Sequence, residues 1–542
     1  MKINEKGLRW LFLAIVTVSF CVNYAALFDK KLDSNGDNYH YYLLARSLSQ
    51  GNGYVSDIGP EPTPHMHFPP GYPAFLSLFL RLFPDNIVAM KLLNGLLLLA
   101  SIFLLFRIVR KSTGKYGLWY ALAACLLCTF HGDLLRWGTI LMSEMLYLAI
   151  SLGIIALCQD LDLEKVRGKD FRHILRLVGI CLLAAAAYLV RTIGVSIILA
   201  VALAFFVLAI KAFRRRKTES GRWMTPLLAC CLVVLTFLAV RGGWNLRNQR
   251  VMPGWRSDYL SSFELPSSDE AQPAAFWADR IGKNLQSFVS YYIPLSVLNP
   301  GKTQLSPEPD RSKGAGWTIG ILAIALMVIG FLSMKGLQWL ILSYVVITFG
   351  VLILYPPQFA DIRYFVPLLP LMLAALVTGV GRIAEWIVEK KNRRVAWLPV
   401  AVAAVLTVVL LPVFRSGQRT YRTMASYKSF AGVPAAGPYQ DLIDACVACR
   451  SLPKDQVAAV LKPEIFYYHS RYHHAVPIPR TGTPEETIRY LDENGVDIVI
   501  LDSWFPTAYR QFTPVIEQYP TRFSVLQQVG NPNRPVIVLG YR

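Results

Sequence analysis

The sequence predicts a mainly α-helical, polytopic membrane protein with a C-terminal α/β domain, and three observations carry that prediction. Hydrophobic residues fill 54% of the 542 positions and the mean hydropathy is +0.39, too apolar a chain to fold around one water-soluble core. Apolar runs near the length of about 20 residues that crosses a hydrocarbon layer about 30 Å thick recur through residues 1–415. Basic residues gather in alternate connections between those runs, the pattern that orients membrane helices.

Eleven runs are expected to span, near residues 7–28, 87–109, 117–131, 138–158, 174–190, 194–212, 224–241, 315–334, 337–355, 364–384 and 396–414. Lys2, Lys6 and Arg9 precede the first. Arg107, Arg110, Lys111 and Lys115 follow the second, and Lys165, Arg167, Lys169, Arg172 and Arg176 follow the fourth. The run KAFRRRK at 211–217 follows the sixth, and Lys390, Lys391, Arg393 and Arg394 follow the tenth. The net charge of +20 therefore marks topology in a multi-pass cytoplasmic-membrane protein and not a nucleic-acid partner. It places the N-terminus in the cytoplasm and the chain beyond about residue 415 outside. The first run is long and lacks a small-residue cleavage site, so it reads as a retained anchor. No GxxxxGK[ST] or GxGxxG string occurs in a nucleotide-binding context.

Chemistry is then sought on the outer face, in residues 29–86, 242–314 and 415–542. The stretch SNGDNYHYYLLARSLSQGNGYVSD has helical apolar spacing ended by glycines, and reads as an amphipathic helix on the membrane interface. HMHFPPGYPAFLSLFLRLF opens a second helix at its two prolines, too short to span. Ionisable residues expected at this face are Asp33, Asp37, Asp133, Arg136, Glu144, Arg191, Arg241, Arg247, Asp361 and Arg363. Taken singly, each is explained as an interfacial charge or a loop ion pair. Taken together, carboxylates facing arginines are what is needed to deprotonate a hydroxyl and hold a departing phosphate.

Six strings occur in order: DSNGDNYHYYLLARSLSQGNGY, FPPGYPAFLSLFLRLF, LMSEMLYLAISLG, YLVRTIGV, RGGWNLRNQRVMPG and DIRYFVPLLPLM. On these the chain resembles the GT-C membrane glycosyltransferases, and within them the relatives of protein O-mannosyltransferases and aminoarabinose transferases. The resemblance implies inverting transfer of a sugar from a polyprenyl phosphate to an acceptor hydroxyl on the extracytoplasmic face, the acceptor being a lipid, a glycan or a protein. It implies Asp37 as general base, with Asp33 as competitor and Glu144 as the second acidic position. Arg191, Arg247 and Arg363, with Tyr364, fall on the donor-phosphate side. Aminoarabinose transferases carry a Glu-Lys pair before the two prolines, where this chain has His67 and Phe68. That lysine is absent, and His65 and His67 stand as possible ligands for a divalent metal ion. A lipid transporter or flippase is the alternative class, and it lacks support from any inverted repeat.

Residues 416–542 read as a soluble extracytoplasmic domain beside the membrane domain 1–415. QVAAVLK, VDIVILD, FSVLQQV and PVIVLGY have strand length, and TPEETIRYLDENG carries a capping signature at Thr483 and a stop at Gly495. It holds no nucleophile and base together, which favours a scaffold or lid role. Cys446 and Cys449, with His469 and His473 further on, loosely copy a zinc spacing. On a helix the two cysteines are small packing residues one turn apart, the preferred reading over a disulfide or a metal site.

Overall fold

The structure is a computed structural model and describes residues 5–34, 36–214, 223–257, 273–298, 314–357, 361–391, 397–431, 436–479, 482–505 and 507–542. Lys2, residues 215–217 of KAFRRRK, Arg393 and Arg394 lie outside the described residues. All eleven apolar runs fold as helices. The first seven belong to α1 (Glu5–Leu27), α4 (Ile87–Ser112), α5 (Gly117–Phe130), α7 (Glu144–Asp160), α9 (Phe171–Val190), α10 (Val195–Arg214) and α11 (Met224–Val251). Between them lie α2 (Gly36–Ser49), α3 (Gly71–Leu80), α6 (Gly132–Gly138) and the short α8 (Leu163–Arg167). Four later helices, Gly314–Ser333, Gln338–Leu354, Leu369–Lys391 and Leu398–Gly417, complete the bundle.

Among the described residues eight helices are long and apolar enough to cross a membrane, and α5 with α6 makes a ninth only if that pair, bent by 67°, counts as one span. The expected eleven is therefore not reached on length and composition. α7 and Gln338–Leu354 have 17 residues each, and a single histidine breaks the third run. His131 leaves the helix in an extended conformation, and its ring accepts the Leu134 N–H to cap α6. Its Nε2 meets the Ser296 carbonyl at 2.7 Å, so the bend is held from both sides. Elsewhere small residues let helices approach closely. A Cβ at Gly330 would overlap the Ala375 carbonyl, and one at Gly379 the Leu326 carbonyl.

The C-terminal strands form one mixed sheet of order β4-β3-β5-β7-β6, distinct from a two-residue ladder of β1 (Val55–Ser56) and β2 (Thr63–Pro64). β3 (Val457–Val460), β4 (Ala475–Pro477) and β5 (Val496–Leu501) are parallel. β7 (Val536–Tyr541) runs antiparallel to β5, and β6 (Phe523–Val529) antiparallel to β7. β3 reads VAAV and is buried throughout, as a strand covered on both faces must be. β4, absent from the sequence reading, is only three residues long. Thr483 and Glu486 form the reciprocal capping box, and Gly495 takes the left-handed φ of +58° that ends the helix. Cys446 and Cys449 are buried free thiols. The ring nitrogens of His473 meet the carbonyls of Ser470 and Leu452.

Candidate active site

Asp37 stands in the first turn of α2, a helix held like a wedge between the membrane helices and the C-terminal region. One side grips the bundle: Asn38 Oδ1 accepts the Leu141 N–H at 2.8 Å, and the Tyr41 hydroxyl lies 3.3 Å from Ser143 Oγ. The other side grips the tail: the Tyr39 hydroxyl meets the Tyr439 hydroxyl at 2.7 Å and His469 Nε2 at 2.9 Å. The Arg46 guanidinium sits 3.9 Å over the Tyr472 ring. The expectation of a helix lying on the membrane interface is corrected, because nine of its 14 residues are buried by protein on both sides.

Beside Asp37 is a cavity of about 600 Å³ whose wall includes Tyr41, His67, Arg191, Arg241, Asn245, Arg363 and Tyr364, with Val190, Val195, Phe237, Val351 and Leu352 forming an apolar part. Arg363 lies in a 3-10 turn started by Asp361, whose carboxylate accepts the Arg363 N–H at 3.0 Å. The Arg363 guanidinium is turned away from that cap. Its Nη1 donates to Asp37 Oδ2 at 3.2 Å and its Nη2 to the Tyr364 hydroxyl at 3.1 Å. Asp37 is thus one half of an ion pair. Arg191 occupies the extended break after α9. Its Nη1 is 2.6 Å from Glu144 Oε1 and donates to Ser143 Oγ at 3.1 Å. Glu144 is fully buried at the N-terminus of α7, where the helix dipole favours its charge. It sits behind Arg191 and is not part of the cavity wall.

Three expected participants lie elsewhere. Asp33 pairs with Arg136, which also lies 3.8 Å from Asp29. Buried Lys91 donates to Asp29 Oδ1 at 2.9 Å and to the Lys31 carbonyl at 2.7 Å, so Asp33 belongs to an ionic network that ties chain segments together. Arg247 donates to the His65 and Tyr54 carbonyls at 2.5 and 3.2 Å, which commits it to the loop before α3. His65 uses Nε2 to accept the Phe68 N–H at 3.0 Å. Burial first, then the neighbouring charges of His40, His67 and Arg247, push its ring down to about 3. His67 does reach the cavity, but among the described residues no three His, Cys, Asp or Glu side chains are grouped to hold a metal ion.

Sequence reasoning missed the role of Arg241. It projects from α11 into the cavity one turn before Asn245 and faces the Tyr188 hydroxyl. Among the described residues no carboxylate pairs with it. The signal in the sequence is an arginine and an asparagine at i and i+4 on an otherwise apolar helix.

Residues 7–355 match a family of unknown function, DUF6541. The chain belongs to the DUF6541 family. The matched segment of this DUF6541 protein contains Asp37, Glu144, Arg191 and Arg241 and stops short of Arg363 and the sheet. No curated protein matches it by sequence. In structure it is similar to the aminoarabinose transferase ArnT from Cupriavidus metallidurans bound to undecaprenyl phosphate, with TM-score 0.54 and 14% identity over 99% of this chain and 98% of that one. It is also similar to the oligosaccharyltransferase AglB from Archaeoglobus fulgidus in complex with an inhibitory peptide and a dolichol-phosphate, with TM-score 0.55 and 12% identity over 98% of this chain and 74% of that one. The same archaeal enzyme in complex with Zn and sulfate gives a TM-score of 0.53 at 12% identity, over 96% and 72% of the two chains. The DUF6541 protein therefore has the GT-C polytopic membrane fold.

Proposed function

We propose that this protein transfers a sugar from a polyprenyl-phosphate donor to an acceptor hydroxyl at the extracytoplasmic face of the cytoplasmic membrane, with inversion at the anomeric carbon. The observation that carries the reading is that Asp37 and three guanidiniums, on Arg191, Arg241 and Arg363, border one cavity with a polar and an apolar part. The polyprenyl-phosphate complexes of ArnT and AglB support the donor class. The alternation of basic loops supports a cytoplasmic N-terminus and an extracytoplasmic domain over residues 416–542.

Asp37 takes the acceptor proton as the acceptor oxygen attacks the anomeric carbon from the side opposite the phosphate. The bond from that carbon to the phosphate oxygen breaks, and its electron pair stays on the phosphate. Cations placed where that charge develops lower the barrier most effectively in a cleft with little water. The ion pair gives this a sequence. As Asp37 is protonated it loses its hold on Arg363, just as the departing phosphate gains negative charge, so the guanidinium can pass from carboxylate to phosphate with Tyr364 steadying its second nitrogen. Arg191, neutralised from behind by Glu144, supplies hydrogen bonds with little net charge.

The test is to incubate the purified protein with a panel of undecaprenyl-phosphate-linked sugars and measure undecaprenyl phosphate released, alongside mass spectrometry of surface lipids, glycans and proteins in a deletion strain and its parent. Release with at least one donor, matched by one missing sugar in the deletion strain, is expected. No turnover across the panel and identical surface profiles would refute the proposal.

A further inference from the structure

We infer that the C-terminal sheet region positions Asp37, acting through Glu464 as a positioning residue. The inference rests on the proposed role of Asp37, while the contacts it uses are independent of that role. Glu464 is the second residue of the helix Pro463–His469, which follows β3, and its side chain is 5% exposed. It touches α2 on both sides of Asp37. One carboxylate oxygen packs so closely on Gly36 that a Cβ there would push it aside, and the other lies 3.6 Å from His40 Nε2. Gly36 and His40 are at i−1 and i+3 of Asp37, so Glu464 braces the single helical turn that aims the carboxylate. Lys462, 3.9 Å from the same carboxylate, fixes Glu464 in turn.

The remaining α2 contacts to the tail are made by Tyr39, within the same turn, and by Tyr42 and Arg46 further along the helix. They hold the tail in place without using Gly36, Asp37 or His40. Losing Glu464 should therefore loosen the turn and leave the docking intact. A base displaced by about an ångström loses up to about a hundredfold in rate, whereas the cavity arginines, in the break after α9, on α11 and in the Ile362–Tyr364 turn, stay in place. The signature is a fall in kcat per folded molecule with donor KM preserved, together with faster exchange confined to this turn; a general loss of stability would instead lower the folded fraction and speed exchange throughout.

The experiment uses the full chain in detergent with Glu464→Ala, Glu464→Gln and Gly36→Ala. Amide hydrogen exchange in residues 36–40 should speed up about tenfold in Glu464→Ala while α3 is unchanged, and Glu464→Gln, of equal length, should restore most of the protection. With a donor that the parent turns over, Glu464→Ala should lower kcat between about 10- and 100-fold and keep KM within about twofold. Gly36→Ala pushes on the same carboxylate from the other side, so adding it to Glu464→Ala should cost less than the two single losses combined. Unchanged exchange in 36–40 for both single variants, or parental kcat in both, overturns the inference. If the parent uses no polyprenyl-phosphate sugar, the base assignment falls, and the exchange data alone still decide whether Glu464 orders that turn.

Discussion

Asp37→Asn removes the proposed proton acceptor with almost no change in volume, and the structure gives its three consequences different signs. The Asp37 and Arg363 side chains are 31% and 25% exposed and 3.2 Å apart. At that exposure an ion pair contributes about 1 kcal/mol at most to stability, well below the roughly 4 kcal/mol of two unit charges 4 Å apart in a protein-like dielectric. The variant should therefore fold and insert normally. Donor binding should tighten, because Arg363 no longer has a carboxylate competing with phosphate. Recovering about 1 kcal/mol corresponds to roughly fivefold in Kd. Turnover should fall at least about a hundredfold, or about 2.7 kcal/mol, the lower range for loss of a general base. Titration with undecaprenyl phosphate gives the binding change, and single-turnover transfer gives the rate. Transfer above a tenth of the parental rate, or weaker donor binding, would show that Asp37 is a partner for Arg363 and not the base.

Arg241→Gln should raise donor KM about tenfold or more with kcat held within about threefold, since a charge-assisted hydrogen bond to phosphate contributes roughly 1.5–3 kcal/mol; initial-rate kinetics check the split. Asp33→Asn should do the reverse, keeping near-parental turnover while lowering stability by about 1–3 kcal/mol as Arg136 loses one of its two carboxylates; thermal unfolding in detergent measures it. Asp502 is buried at the end of β5, and burial raises its carboxyl to about 6. Its unfolded value is about 3.9, so the folded form holds the proton more tightly. The stability this confers is fully present below about pH 4 and is lost as pH rises through about 6, by about 3 kcal/mol in all. Unfolding followed by fluorescence of neighbouring Trp504 should show this slope in the parent and not in Asp502→Asn.

Hydropathy summed over about 20 residues is a robust signal, and all eleven runs did become helices. What single residues do to such runs was harder to read. His131 stops the third run by capping with its ring, and a histidine carries no general helix-stop signal. α2 was legible as a helix but not in its surroundings. Tyrosines have an apolar body and a polar tip, so Tyr39, Tyr41 and Tyr42 look the same whether they face lipid headgroups or, as here, protein on two sides. The choice between Asp33 and Asp37 depends on partners 103 and 326 residues away, and no local pattern encodes it.

The choice between Arg241 and Arg247 was, by contrast, available from helix geometry alone. Both lie near the end of α11, six residues apart. At about 3.6 residues per turn, six residues make about 1.7 turns, a third of a turn short of two, which sets the two side-chain directions roughly 120° apart, so the two arginines leave the helix on different faces. Asn245, four residues after Arg241, shares its face. The residues at that spacing on either side of Arg247 are Gly243 and Val251, neither of which offers a polar side chain. A cation that must meet a ligand in a cleft needs neighbours on its own face, and that criterion selects Arg241. The six-string resemblance weighted Arg247 because it matched a position in a motif. The structure instead shows Arg247 bound to the Tyr54 and His65 carbonyls, holding the loop that carries His67 against the cavity.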